Sequence, residues 1–147
     1  MALNNERLQD VIAEELRTAG LKATPQRVAI VACLAGDETH PTAQEIFDRL
    51  RPEFPGMAFA TVYNTLSALM RVRRLSSLSL GGATRFDPNV SPHHHAVCDG
   101  CGKVRDVPAN ENEDARPASV LEGFEIHRVE RIYRGLCAEC RSDASAE

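Results

Sequence analysis

The chain has 147 residues and a formal net charge of −4, with no Trp, two Tyr and five Phe; this suits one domain or two small ones with a mostly aliphatic core. No apolar stretch is long enough to cross a membrane, and the polar opening Met1–Asp10 carries no secretory signal, so the expected compartment is the reducing cytoplasm. The net charge alone argues against nucleic acid, but the average hides a gradient. Residues 1–88 are balanced and 89–147 carry the whole −4, while within 49–86 Arg49, Arg51, Arg71, Arg73, Arg74 and Arg85 are set against the lone acid Glu53. A local basic patch of this kind is what phosphate contacts require; a solvated charged surface is the plainer alternative.

In chain order, Leu8, Val11, Ile12 and Leu16 follow helical spacing, and Gly20 stops that first helix. Thr24-Pro25 is a start signal, a hydroxyl cap followed by Pro at the first helical position. It opens a short buried helix, with Cys33 as a core residue, that ends near Gly36. Thr42-Ala-Gln-Glu45 reads as a capping box, with Ile46, Phe47 and Leu50 as the apolar stripe and Pro52, Pro55 and Gly56 as the stop. The next helix is expected from about Phe59 to Met70. Phe59, Val62, Leu66 and Leu69 should pack inward, and Thr61, Asn64, Thr65 and Ala68 should form a small, polar face able to enter a major groove. Tyr63 sits at its edge. Leu75–Leu80 and Ala83–Phe86 flank Gly81-Gly82, which favours a tight hairpin. Three helices and a hairpin make a winged helix-turn-helix, or, without the arginines, a generic helical domain. Asp87 to Pro92 is a turn-rich linker. Beyond it, alternation around His95, Val97, Val104 and Val107, and later Phe124, Ile126, Val129 and Ile132, suggests strands, with a polar segment from Ala109 to Ser119 able to hold one short helix. The expected fold class is α+β, with a winged-helix DNA-binding domain at 1–87, a hinge at 88–92 and a small α/β metal-binding dimerisation domain at 93–147.

The strongest signal lies in that second half. Cys98-Asp-Gly-Cys101 and Cys137-Ala-Glu-Cys140 are two Cys-x-x-Cys pairs. Each pair can sit on one side of a tetrahedral ion, and together they complete a closed four-sulfur structural zinc site; two disulfides are the alternative in an oxidising compartment. His93-His94-His95 stands immediately upstream. On a strand His93 and His95 point one way and His94 the other. With Asp87 and Asp106 nearby, these imidazoles form a harder ligand set than four thiolates and suit Fe(II), Mn(II) or Zn(II). His40, just before the Thr42 cap, would tie the first half to that ion if it reached it, giving a metal-set switch.

With these stretches in view, the chain resembles the ferric uptake regulator (Fur) family of bacterial metal-dependent repressors. The matching stretches are Thr24-Pro-Gln-Arg27, His40-Pro-Thr-Ala43, Ala60-Thr-Val-Tyr63, Arg85-Phe-Asp87, His93-His-His-Ala-Val-Cys98, Cys101-Gly-Lys103 and Gly135-Leu-Cys137, in the expected order over about residues 7–140. The resemblance implies a homodimer that binds double-stranded operator DNA, with zinc on Cys98, Cys101, Cys137 and Cys140. Within the family the chain is most similar to the peroxide-responsive branch, whose regulatory ligands match His40, Asp87, His93, His95 and Asp106. Asp87 stands where Fur proper tends to have glutamate, and Asn64 where it often has arginine. The resemblance further implies that Mn(II) or Fe(II) closes the dimer onto DNA, and that peroxide acting on bound Fe(II) oxidises His40 or His93 and releases it. The same five ligands serve a purely manganese- or iron-responsive repressor. Arg27, Thr61, Tyr63, Asn64 and Arg85 are the expected DNA contacts. Ala58 replaces the family's usual hydroxyl cap on the recognition helix, a loss of about 1 kcal/mol. An auxiliary metal site of some members would fall on His94, Glu113 and, two residues out of place, His127.

Two other readings compete. A zinc hydrolase or deaminase would need His-x-Glu before Pro-Cys-x-x-Cys, which the chain lacks, and a closed four-sulfur site leaves no position for an activated water; no enzymatic turnover, small-molecule substrate or membrane partner is expected. A zinc-uptake regulator of the same family would tend to use a sensing cysteine, and outside the two pairs only Cys33 is available.

Overall fold

The computed structural model describes residues 5–80, 82–110, 121–126 and 129–145. The chain divides into two compact units, Met1–Val90 and Ser91–Glu147. In the first, four helices precede a two-stranded ladder: α1 (Asn5–Thr18), α2 (Pro25–Leu34), α3 (Ala43–Leu50), α4 (Phe59–Arg71), β1 (Ser76–Leu78) and β2 (Arg85–Asp87). In the second, β3 (His93–Cys98), β4 (Val104–Pro108) and β5 (Ile132–Gly135) form a sheet in the order β4-β3-β5, and α5 (Ala138–Ser145) follows.

The start signals work as read. The Arg27 N–H donates to Thr24 Oγ1 at 3.4 Å with Pro25 in the first turn. At α3 both arms of the capping box are made: the Glu45 N–H donates to Thr42 Oγ1 at 3.1 Å and the Thr42 N–H to Glu45 Oε2 at 3.2 Å. Each bond satisfies an amide that the first helical turn leaves open. Ala58 caps α4 with no side-chain bond. Ile12, Leu16, Ile30, Leu34, Ile46, Leu50, Val62, Leu66, Leu69, Leu75 and Phe86 form one aliphatic core, with Cys33 packed at its edge.

Several sequence expectations shift. Val11 is 54 % exposed; the buried stripe of α1 runs through Ile12 and Leu16, four apart, and leaves Val11 to one side. Phe59 is 42 % exposed and meets Phe47 edge-on at 5.7 Å, because it lies in the first turn of α4, before the helix enters the core. Thr65 and Ala68 are buried rather than outward; the Thr65 hydroxyl donates to the Thr61 carbonyl at 2.7 Å, which satisfies it inside the core. The hairpin is also looser than expected. Its register, Ser76↔Asp87 to Leu78↔Arg85, is the one that a Gly81-Gly82 loop would set. The ladder stops at Leu78↔Arg85, and Gly81 lies outside the described residues.

In the second unit β3 pairs antiparallel with β4 and parallel with β5. Val97 and Val104 are buried, whereas every residue of β5 is exposed. Phe124, Ile126 and Val129 lie outside any strand, in contrast to the expected alternation. Phe124 is 68 % exposed, and Ile126 and Val129 are only half-buried. The segment from Ala109 to Ser119 falls largely outside the described residues. With so little apolar burial among the described residues, this unit depends on other cross-links, as small metal domains do.

Candidate metal centres and reading helix

The four cysteines converge from two chain segments, the β3–β4 turn and the start of α5. Cys98 ends β3, Cys101 lies in the turn to β4, Cys137 precedes α5 and Cys140 lies in its first turn. Their sulfurs all lie within 4.8 Å of one another. Cys101 and Cys137 are 3.8 Å apart, close to the ~3.8 Å separation that a tetrahedron of ~2.3 Å zinc–sulfur bonds requires. Gly102 makes the turn at φ 75°, and its N–H donates to the Cys98 carbonyl at 2.9 Å. Gly100 is needed for a different reason: a Cβ there would lie 2.8 Å from Cys140 Sγ. The Cys137 N–H donates to Cys98 Sγ at 3.2 Å. Backbone donation from Cys137, then from Cys101, holds the Cys98 thiol down at about 6. Cys140 is pushed up to about 12, first by its bond to Cys137 and then by Cys98. Four crowded sulfurs cannot all ionise without a counter-charge, and a divalent cation supplies it. All five cysteines are free thiols, and this donor set fits zinc.

The harder ligands form two groups, one in each unit. In the first unit Thr42 bridges Arg85 antiparallel, and the Phe86 N–H donates to the Pro41 carbonyl at 2.9 Å. This register sets His40 opposite Asp87, on one face of the extended pair. His40 Nε2 lies 3.3 Å from Asp87 Oδ2, both side chains almost fully buried. His40 holds φ 56°, a left-handed conformation that costs an L-residue about 1 kcal/mol or more and persists only where surrounding contacts enforce it.

In the second unit β3 and β4 pair His95 with Asp106. The Nε2 atoms of His93 and His95 are 3.1 Å apart, and Asp106 Oδ1 lies 3.3 Å from the first and 3.5 Å from the second. Adjacent ligands on an ion with ~2.1 Å bonds stand about 3 Å apart, so both groups have ligating spacing. Of the remaining ring nitrogens, His93 Nδ1 donates to the Ser91 carbonyl at 2.6 Å, and His95 Nδ1 lies 3.0 Å from Glu130 Oε1. The Ser91 bond fixes the His93 tautomer and leaves its Nε2 as the ligating atom, while Glu130 places a negative charge beside His95 Nδ1. Glu130 was not anticipated from the sequence; thirty-five residues separate it from His95, and no spacing rule reaches across them. His94 points to the other face, where its Nδ1 accepts the Arg131 N–H at 3.0 Å. Glu113 and His127, the other auxiliary candidates, lie outside the described residues.

On α4 the exposed face is Ala60, Tyr63, Asn64 and Arg71, with Ser67 half-buried between them, at helical spacing of three and four. Tyr63 and Asn64 are thus where the sequence put them, and Thr61 is half-buried. Ser67 follows Tyr63 at the same helical spacing. Arg27 donates to the Lys22 carbonyl at 3.1 Å, and Arg85 Nη1 donates to the His40 carbonyl at 3.0 Å. No described helix is long and apolar enough to cross a membrane.

The profile of the ferric uptake regulator family matches residues 18–133. The chain is 41 % identical over 138 residues to the peroxide-responsive repressor PerR of Staphylococcus aureus, covering 91 % of each. Among solved structures it resembles PerR from Streptococcus pyogenes, described in terms of peroxide sensing and gene regulation, at 31 % identity and TM-score 0.50 over 90 % of this chain and 92 % of that one. It also shares its fold with the ferric uptake regulator of Helicobacter pylori, at 22 % identity and TM-score 0.72 over 95 % of each chain. A profile match over most of the length and a relative at this identity leave one assignment: the chain belongs to the ferric uptake regulator family.

Proposed function

We propose that this protein is a metal-dependent transcriptional repressor whose operator affinity is set by one ion held jointly by His40, Asp87, His93, His95 and Asp106. One observation carries the reading: each unit presents an imidazole–carboxylate group at ligating spacing, the buried pair His40 and Asp87 in the first and His93 and buried His95 with the more exposed Asp106 in the second. A single ion accepting both groups fixes residues 1–87, the DNA-binding domain, against 93–147, the dimerisation domain, through the hinge 88–92. In a homodimer this sets the spacing of two α4 helices and decides whether both reach successive major grooves. Zinc on the four cysteines is structural. Tyr63 and Asn64 face the bases, with Thr61 beside them, and Arg27 and Arg85 serve the phosphates. The protein acts in the cytoplasm and turns over no substrate.

The carboxylates and Nε2 atoms suit Mn(II) and Fe(II) alike. When bound, Fe(II) supplies redox chemistry toward peroxide that Mn(II) does not. His40 and His93 are the imidazoles placed to be oxidised, and an oxidised ring no longer holds the two domains together. The similarity to peroxide-responsive repressors supports this version. A manganese- or iron-uptake regulator without peroxide sensing is the second reading, supported by the same ligand set. An operator-retardation titration with Mn(II), Fe(II) and Zn(II), repeated after peroxide, separates them. Loss of binding confined to the Fe(II) form, with a one-oxygen mass increase on the His40 or His93 peptide, is expected. Undiminished binding of the Fe(II) form after peroxide would leave the second reading. Equal retardation by chelator-treated protein would reject metal control altogether.

A further inference from the structure

Arg85 carries a charge that suits a phosphate, but its strongest bond points inward. It stands on β2 opposite Thr42 and two residues before Asp87. Its Nη1 donates to the main-chain carbonyl of His40 at 3.0 Å and lies 3.9 Å from Glu45 Oε1. The other oxygen of Glu45 accepts the Thr42 N–H at 3.2 Å. A single guanidinium therefore joins the carbonyl of His40 to the capping carboxylate of the helix that starts three residues later. Between them the chain passes through the left-handed φ of His40, which a residue with a ring side chain does not hold unaided. Pro41 is fixed from the same strand by the Phe86 N–H at 2.9 Å.

We infer that Arg85 is a positioning residue for the regulatory metal: it holds the His40 backbone in the strained conformation that directs the imidazole onto Asp87. This rests on the reading of His40 and Asp87 as ligands. A guanidinium suits the task because both contacts run through Nη1, whose two N–H groups point in fixed planar directions, whereas the donors of an ammonium rotate freely about a single point of charge. The side chain is 31 % exposed, so its outer donors stay open to a phosphate. Arg85 then serves metal and operator together.

The test is Mn(II) affinity of the zinc-loaded, full-length protein without DNA, where a phosphate contact contributes nothing. Arg85→Gln is expected to weaken Mn(II) binding about tenfold, the low end for loss of an outer-shell partner, with zinc content unchanged. Arg85→Lys is expected to recover part of that loss by bonding the carbonyl alone. In Co(II)-loaded protein the d–d bands should change in the Gln variant and return toward wild type in the Lys variant. Should Arg85→Gln fold poorly, Glu45→Gln keeps the cap acceptor and removes only the charge facing Arg85, and a smaller loss of Mn(II) affinity is expected. Wild-type Mn(II) affinity in these variants, with operator binding reduced, would overturn the inference and leave Arg85 as a phosphate contact. A His93→Ala control separates the two levels. If it binds Mn(II) as wild type does, the metal reading itself fails; if it does not, the Arg85 result stands on its own.

Discussion

Single atoms decide the zinc site. Gly100 belongs to a Cys-Asp-Gly-Cys turn whose need for glycine is steric, since a Cβ would meet Cys140 Sγ at 2.8 Å and Cys140 Cβ at 3.0 Å. A free cysteine side chain would swing away at little cost, but one fixed as a ligand cannot move without leaving its ion. Gly100→Ala is therefore expected to lower zinc affinity at least about tenfold, or roughly 1.4 kcal/mol, read by competition with a chromogenic chelator; unchanged affinity would show that Cys140 is not held. The spacing of the cysteines was legible in the sequence because two thiolates two residues apart reach one ion in almost any turn. The clash at Gly100 was not, because it involves a residue forty positions away.

At the scale of the element, the helix caps follow the sequence because they are local. Thr24, Thr42 and Glu45 make the bonds that their order in the chain implies. The faces of α4 were read less well. Thr61, Asn64, Thr65 and Ala68 look like one polar side by residue type, but a small residue fits a close helix contact as readily as solvent, and Thr65 satisfies its hydroxyl within its own helix. The packed core decided the matter, and the outward stripe is Tyr63, Asn64 and Arg71, with Ser67 half-buried among them. This assignment has a direct check. Ser67→Glu is expected to cut operator affinity at least about tenfold by repelling phosphate, with little change in thermal stability. Ala68→Glu, one position on, buries an unpaired charge and is expected to cost several kcal/mol of folding stability. If Ala68→Glu leaves the melting temperature unchanged while Ser67→Glu lowers it, the face has been assigned the wrong way round.

For the whole molecule, the regulatory proposal makes a quantitative demand. If one ion links domain pose to operator binding, the factor by which Mn(II) raises operator affinity must equal the factor by which operator DNA raises Mn(II) affinity. Both are expected at 5–150-fold, about 1–3 kcal/mol of coupling, and operator binding should fall steeply with salt, by about 0.9 log unit per log unit of salt for each phosphate neutralised. Titrations of each ligand with and without the other would expose a metal that merely stabilises the protein, since the two factors would then both be near one.

By itself the sequence determined what acts over a few residues: the helix starts, the two cysteine pairs, the alternation that puts His93 and His95 on one face, and the stretches that identify the family. The tertiary structure alone decided what depends on distant chain segments. It set His40 against Asp87 through a single bridge at Thr42 and Arg85, put Glu130 behind His95 and turned Arg85 toward a carbonyl forty-five residues back. The division follows from the range of the forces. Capping and periodicity are settled within a turn or two of helix or strand, whereas a cross-strand neighbour or an outer-shell partner exists only once burial has fixed which segments meet.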